Sequence, residues 1–453
     1  MISKSFLLLL AAASMALGQQ PVGDGKTDDT AALQHMFDTV GSVKLPKGTY
    51  RITKTLKIDL TKTGYAALSG DGTVRLVMSG PGPALHFLGT HEGSAAPESF
   101  KPEVWENQRT PMVEGIEIVG AHAEADGIEA TGTMQITLSR VVVRECRHAV
   151  HLSTRNRNVL ISACHFYHNT GIGVFYDNVN LHQSNIVGSH ISYNGGGGVV
   201  SVGGNVRNLH IGTCDIEGNH AKDGPPSANV MLDSRGGSIG EVTITGCTLQ
   251  HTHKSPDSAN IRIIGSGTDP SLLRRAGREH TREGNVTITA NVFSDVQVNV
   301  EVQHSRGVTI TGNTFWEGFQ HDLVVADSSN IVVTGNNFDR NPRYLVNGND
   351  NAEKNGVVFL RCDDSVLSSN VISGVWKQRA AVDVQSCNRL QIAHNSILDS
   401  DGAGLHLEEV SNSMIVGNII RDDREEESRS KAPSLSVVGG KANVIEQNVL
   451  GNK

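Results

Sequence analysis

Apolar and polar residues alternate in short runs along most of the chain, and the runs recur. "VTITGNTF" (308–315) and "IVVTGNNF" (331–338) are nearly one phrase written twice, with Asn313 and Asn336 at the same place in each. Aligning every segment on the residue before the second apolar anchor gives Arg140, Cys164, Ser189, Cys214, Cys247, Asn291, Asn313, Asn336, Asn370, Asn395, Asn418 and Asn448. Most steps in this series are alike; the longer ones, as from Cys214 to Cys247, from Cys247 to Asn291 and from Asn336 to Asn370, mark insertions. A basic period of roughly 23 to 25 residues is too long for a hairpin, and its β-branched alternation lacks the 3.6-residue spacing of a helical repeat. Each unit reads as three short strands, for example "NVEVQ" (299–303), "GVTI" (307–310) and "TFW" (314–316), with a tight turn at Gly312-Asn313. Three parallel strands per coil make a β-solenoid.

The aligned Asn is expected in that turn, tolerating a left-handed backbone while its amide bonds the equivalent groups of the coils above and below. From Cys164 to Cys247 the same ladder uses Cys or Ser, small residues suited to burial. Cys214 with Cys247, and Cys362 with Cys387, are one coil apart; stacked thiols or disulfides both satisfy that spacing.

Ahead of the coils, "VGDGKTDDTAALQHMFDTVGSVKLPKGTYRI" (22–52) holds an Asp-Gly turn, a Thr/Asp helix start, an amphipathic helix and a strand reached through a Pro-Lys-Gly turn. This segment resembles the N-terminal cap of the pectate lyase and rhamnogalacturonase-like superfamily. The resemblance implies an all-β, single-stranded right-handed parallel β-helix of about 12 coils with a short N-terminal capping helix. Asp24, Asp28 and Asp29 in the cap read as turn and helix-start residues. The expected organisation is an export signal over 1–18, the cap and first coils over 19–112, and the β-helix over 113–453. The export signal rests on Lys4, the apolar stretch Phe6 to Ala13, and the small-residue site Ala16-Leu17-Gly18.

Composition narrows the function classes. Net charge is −8 with both signs interspersed, and aromatics make up 4% of residues, which argues against nucleic acid as a partner. No later stretch is apolar enough for a membrane span. A secreted or periplasmic protein follows; its oligomeric state is left open.

The superfamily holds polysaccharide lyases, glycoside hydrolases, epimerases and phage tailspikes, and the resemblance implies a sugar chain lying along the first strand of each coil. The polygalacturonase residue set is not found here. With Val150/Leu152, Val174/Tyr176, Val200/Val202, Val230/Leu232, Ile261/Ile263, Val300/Val302, Leu323/Val325, Val382/Val384 and Leu405/Leu407 as inward pairs, alternation turns another set outward. That set is His151, Asp177, Ser201, Asn229, Asp233, Asn260, Arg262, Asn299, Glu301, Gln303, Asp322, Asp383 and His406, densest between Asp177 and Asp322. Ser201 and Gly203 leave room between Asp177 and Asp233.

Two coils separate Asp177 from Asp233 and Asp233 from Glu301, roughly 9 to 10 Å by backbone spacing. An inverting glycosidase needs its acid and base roughly 6.5 to 9.5 Å apart, so Asp233 and Glu301 are the expected acid/base pair, with Arg262 between them to hold one ionised and help bind substrate; in a lyase Asp177 or Asp233 would instead be metal ligands. A lyase instead needs a base beside the uronate, and a cation or Ca²⁺ on its carboxylate. The loops "EGNHAKDGPPSA" (217–228) and "QHTHKSPDSA" (250–259) offer His220, Lys222, His251, His253 and Lys254 for that work. Asn229, Asn260, Asn299, Gln303, Asp322 and His151 complete the expected substrate-binding set.

A second column, His165, His190 and Asp215 on consecutive coils with Tyr167 and Glu217 beyond, has imidazole stacking that suits a transition metal, although no compact zinc spacing is present. The insertion "GSGTDPSLLRRAGREHTREG" (265–284), with Arg274, Arg275, Arg278 and Arg282, reads as a solvated excursion or a positively charged cover. "RDDREEESRSK" (421–431) balances its own charges and reads as an exposed loop. The leading expectation is an enzyme cleaving a polysaccharide or oligosaccharide, by hydrolysis or elimination. A noncatalytic glycan-binding or surface protein is the rival.

Overall fold

The computed structural model describes residues 20–93, 96–221, 227–266, 284–342 and 352–452. The segment 1–19, and with it the expected export signal, lies outside this set, as do Lys222, Arg274, Arg275, Arg278 and Arg282.

Three parallel sheets wrap one apolar core. Along the first sheet the inward residues pair rung by rung as Leu56, Leu85, Ile128, Val150, Val174, Val199, Val230, Ile261, Val300, Leu323, Val357, Val382, Leu405 and Leu435, fourteen rungs among the described residues where about twelve coils are expected. The second sheet includes Arg306–Thr311 and Ser329–Thr334, and the third Thr314–Phe315 and Asn337–Asp339. Inside, like stacks on like: Phe293, Phe315 and Phe338 lie ring over ring at 4.8 and 4.4 Å. Such stacks fill each coil at the strand spacing, so every rung buries its apolar side chains on the next.

The helix Thr30–Val40 closes one end, burying Ala32, Leu33 and Phe37. The Asp29 carboxylate accepts from the Val22 and Gly23 amides at 2.6 and 3.1 Å, Asp28 from Thr30 and Thr53, and Asp24 from Lys26 and Thr27. The cap aspartates are turn and helix-start residues.

The expected ladder runs between the second and third sheets. The Nδ2 of Asn291, Asn313, Asn336, Asn370 and Asn395 each donates at 3.0 Å to the Oδ1 of the next rung, and Asn418 donates to Asn448 at 2.9 Å. Two details differ from expectation. The left-handed residue is the one before each Asn, as at Gly312 and Gly335 (both φ +65°), so the Asn itself stays free to point inward. Arg140 is that preceding residue in its coil (φ +53°), which puts buried Val141, not Arg140, at the rung. All six cysteines are free and buried, and the Cys214 and Cys362 amides face the sulfurs of Cys247 and Cys387 at 3.4 and 3.2 Å.

A second ladder, which alternation hid, braces the corner between the third and first sheets. It runs from Asn169 through Asn194, Asn219, Asn229, Asn260 and Asn299 to Asp322, each amide donating to the next Oδ1 at 2.7 to 2.8 Å. Asn229, Asn260, Asn299 and Asp322 are therefore fully buried, not outward. They sit where the chain bends into the first strand; the corner turns their side chains inward and alternation begins only afterwards.

One coil also reverses the expected parity. Val174 pairs with Val199 and Tyr176 with Ser201, so Val199 and Ser201 point in while Val200 and Val202 face out. In "VVSV" both phases are apolar enough to be buried, and only the neighbouring coils choose between them.

Candidate functional site

The outward face of the first sheet carries two columns in which polar and apolar side chains are mixed. One passes through His151, Phe175, Val200, Met231, Arg262, Glu301, Val324, Val358, Asp383 and His406. The other, two residues along, passes through Asp177, Val202, Asp233, Ile264 and Gln303. Asp177 and Asp233 thus share a column two coils apart, with Val202 rather than a small residue between them. Glu301 belongs to the other column, and the offset of two coils and two residues sets its backbone about 12 Å from that of Asp233.

Each expected catalytic carboxylate already holds a cation or an imidazole. Arg262 donates to Glu301 Oε2 at 2.6 Å and to the Asp257 carbonyl at 2.7 Å, with the Arg262 and Glu301 side chains only 6% and 13% exposed. The Gln303 amide takes the other Glu301 oxygen. Asp233, 3% exposed, is gripped by Arg235, which reaches both carboxylate oxygens while lying two-thirds in solvent. His151 Nε2 meets Asp177 at 3.1 Å, and its ring stacks on Phe175. Arg262 clamps Glu301, whereas the grip on Asp233 comes from Arg235, a residue hidden by the Gly-rich turn that follows it.

The loop leading into the Arg262 strand concentrates the imidazoles. His251 and His253 each present Nδ1 to one oxygen of Asp295, the latter at 2.5 Å, and His253 lies flat on Phe319 at 3.9 Å. The bond from Asp295 raises the His251 pKa, with Glu217 and Glu317 adding to it. Burial pushes Asp295 up, yet the two imidazoles outweigh it and hold the carboxyl below its usual range. Anchored through Nδ1, both rings keep Nε2 for an acid/base role. Asp295 was missed, though the repeat pointed to it: the coil step from Cys247 to Asn291 is 44 positions, and so is the step from His251 to Asp295. Lys254 is exposed beside this pair. His220 is not part of a solvent-facing base set, because burial lowers it to about 4 and its Nδ1 rests on Ser227 at 3.3 Å.

On the third sheet His165 and His190 stack at 5.0 Å, and His190 Nδ1 lies 3.6 Å from Asp215. Among the described residues no three His, Cys, Asp or Glu side chains group as a metal site.

A right-handed β-helix region model matches residues 104–249, and the family model described as periplasmic copper-binding protein (NosD) matches residues 231–453. The chain is a right-handed parallel β-helix protein. Its coils superpose on a double mutant of the tailspike protein of E. coli bacteriophage HK620 with a TM-score of 0.56 and 12% identity, over 93% of this chain and 76% of that one. A second double mutant of that tailspike, in complex with a pentasaccharide, gives 0.51 and 11% over 94% and 77%. At such identity the likeness establishes the fold. No curated protein matches the chain. No helix among the described residues is long and apolar enough to cross a membrane.

Proposed function

We propose that the protein is an exported β-helix enzyme acting on a uronate-containing polysaccharide laid along the first sheet, by elimination rather than hydrolysis. The observation that carries this reading is the pair His251 and His253 fixed by one carboxylate beside the Arg262–Glu301 coil. Both oxygens of Asp233 are taken by Arg235, and those of Glu301 by Arg262 and Gln303, which leaves neither carboxyl turned towards a glycosidic oxygen. Asp233 and Glu301 therefore serve as clamps that set Arg235 and Arg262 on the face. An imidazole held through Nδ1 is by contrast suited to remove the proton beside a uronate, while Arg235 and Lys254 offer charge to its carboxylate. Asp177, His151 and Gln303 line the same face as substrate contacts. Asn229, Asn260, Asn299 and Asp322 act from beneath, by holding the corner from which the loops emerge. The matched copper-binding family description and the tailspike's pentasaccharide are both compatible with an exported protein. Copper has no three-ligand group among the described residues, and all six cysteines are buried, so copper enters no step here.

The test is turnover of acidic glycans followed by the ultraviolet absorbance of the unsaturated uronate. His251→Gln and His253→Gln are expected to lower kcat by about 10²-fold or more, the usual size of an acid/base contribution. Product formed without that absorbance, and abolished by Asp233→Asn or Glu301→Gln, would restore the hydrolytic reading. Saturable glycan binding with no product would assign a binding protein instead.

A further inference from the structure

Away from that face, where the first sheet bends into the second, the chain gathers buried and half-buried guanidinium and imidazole groups, and Arg155, His91 and His182 each keep a nitrogen without a partner among the described residues. Arg157, His182 and Arg207 stack on successive coils. Arg155 lies beside them, 7% exposed, and its Nη1 donates to the Asn180 side chain, leaving Nε and Nη2 without a partner among the described residues. His91, 1% exposed, has Nε2 unpartnered and sits within the field of Arg155 and Arg157, and His182 has Nδ1 unpartnered. Burial and these arginines push His91 down to about 4, so the cluster already sheds the charge it can. Phe100 covers the cluster, lying 4.6 Å from the Arg157 guanidinium, and is itself stacked on Trp105. Among the described residues Arg155 forms no ion pair with a carboxylate. Glu92 is engaged by Lys101 at 3.0 Å. A buried guanidinium with orphaned donors is unfavourable unless an anion completes it.

Slightly further along the same strands begins a polar groove of about 480 Å³ whose lining includes Gln135, Asn158, Gln183, Asn185 and His210. Amides at this density suit hydroxyl groups rather than an apolar guest. We propose that this corner is a second ligand site, distinct from the first-sheet face, which takes an acidic oligosaccharide with its carboxylate or sulfate on Arg155, Arg157 and His182 and its hydroxyls on the groove amides. Arg155 supplies the charge-assisted bonds, and Phe100 with Trp105 must shift to admit the anionic group, which makes Trp105 a built-in reporter.

The experiment titrates the intact protein in chloride buffer with a uronate disaccharide, its reduced neutral analogue, inorganic sulfate and inorganic phosphate at matched ionic strength, reading tryptophan fluorescence and Tm. The uronate disaccharide is expected to bind saturably and raise Tm, the neutral analogue not to bind, and each inorganic anion to bind at least about tenfold more weakly. Arg155→Met is expected to weaken uronate binding by about tenfold or more while leaving the unliganded Tm unchanged or higher, since it removes an uncompensated charge. His182→Gln gives an independent variant should Arg155→Met fold poorly, with the same direction of effect. His251→Gln leaves this binding intact, which separates the two sites. Absence of a saturable response to the uronate, an equal response to the neutral sugar or to sulfate, or full uronate affinity in both variants overturns the proposal.

Discussion

Two asparagine ladders do the same chemical work in different halves of the molecule. One, from Asn291 to Asn448, braces the corner between the second and third sheets; the other, from Asn169 to Asp322, braces the corner between the third and first. In both, a buried amide donates to the next rung, so the side chains satisfy one another from coil to coil. They differ in what they carry. The first supports short turns, as at Gly312-Asn313 and Gly335-Asn336, whereas the second lies at the corner whose loop carries His251 and His253 into the Arg262 strand. The loop that carries His251 and His253 leaves from a corner whose interior is fixed by hydrogen bonds, which lets an insertion depart without loosening the coil.

The largest effect that could break the comparison comes from cutting one rung in each. Asn260→Ala and Asn313→Ala each orphan buried partners and are expected to cost about 2 to 4 kcal/mol, seen as a lower denaturant midpoint. Only Asn260→Ala is expected to reduce glycan turnover as well; equal loss of activity per kcal/mol in both would mean that the corners are functionally alike.

The end of the second ladder provides the next test. Asp322 is fully buried, burial raises its pKa to about 7, and Oδ2 has no partner among the described residues. Its folded value lies above its unfolded value, so the folded state holds the proton more tightly. Stability contributed in this way is present below the ordinary 3.8 and is lost as pH rises towards 7. Wild-type protein is thus expected to lose on the order of 1 to 4 kcal/mol between pH 4 and 8, with Asp322→Asn flattening that slope in parallel urea titrations.

A smaller effect concerns the loop above. His251 is raised, so its contribution is present below 6.5 and lost as pH rises through its folded value; Asp295 is lowered, so its contribution is present above 3.8 and lost as pH falls through its folded value. Amide exchange in residues 250–258 is expected to be slowest between those limits, and Asp295→Asn to remove the dependence. Smallest is Asp233→Asn, whose partner Arg235 lies in water: a change within about 1 kcal/mol, read by thermal unfolding. A larger loss would mark Asp233 as part of the scaffold rather than the face.

The amino-acid sequence by itself determined the coil, its register over most of its length and the first ladder, because a period of roughly 24 residues, β-branched alternation and Gly-Asn turns are local signals repeated many times. The same period placed Arg262 on the outward face and would have matched His251 with Asp295. Tertiary structure alone decided three things. It turned Asn229, Asn260, Asn299 and Asp322 inward, since a corner changes the direction of a side chain that strand parity assigns outward. It chose Ser201 over Val202 for the core, since the small Ser201 can be buried as well as a Val and only packing against Tyr176 and Leu232 selects the phase. It also decided which cation each carboxylate holds, because Arg235 reaches Asp233 around a turn and Arg262 reaches Glu301 across a coil, and side-chain reach is written in neither period nor composition.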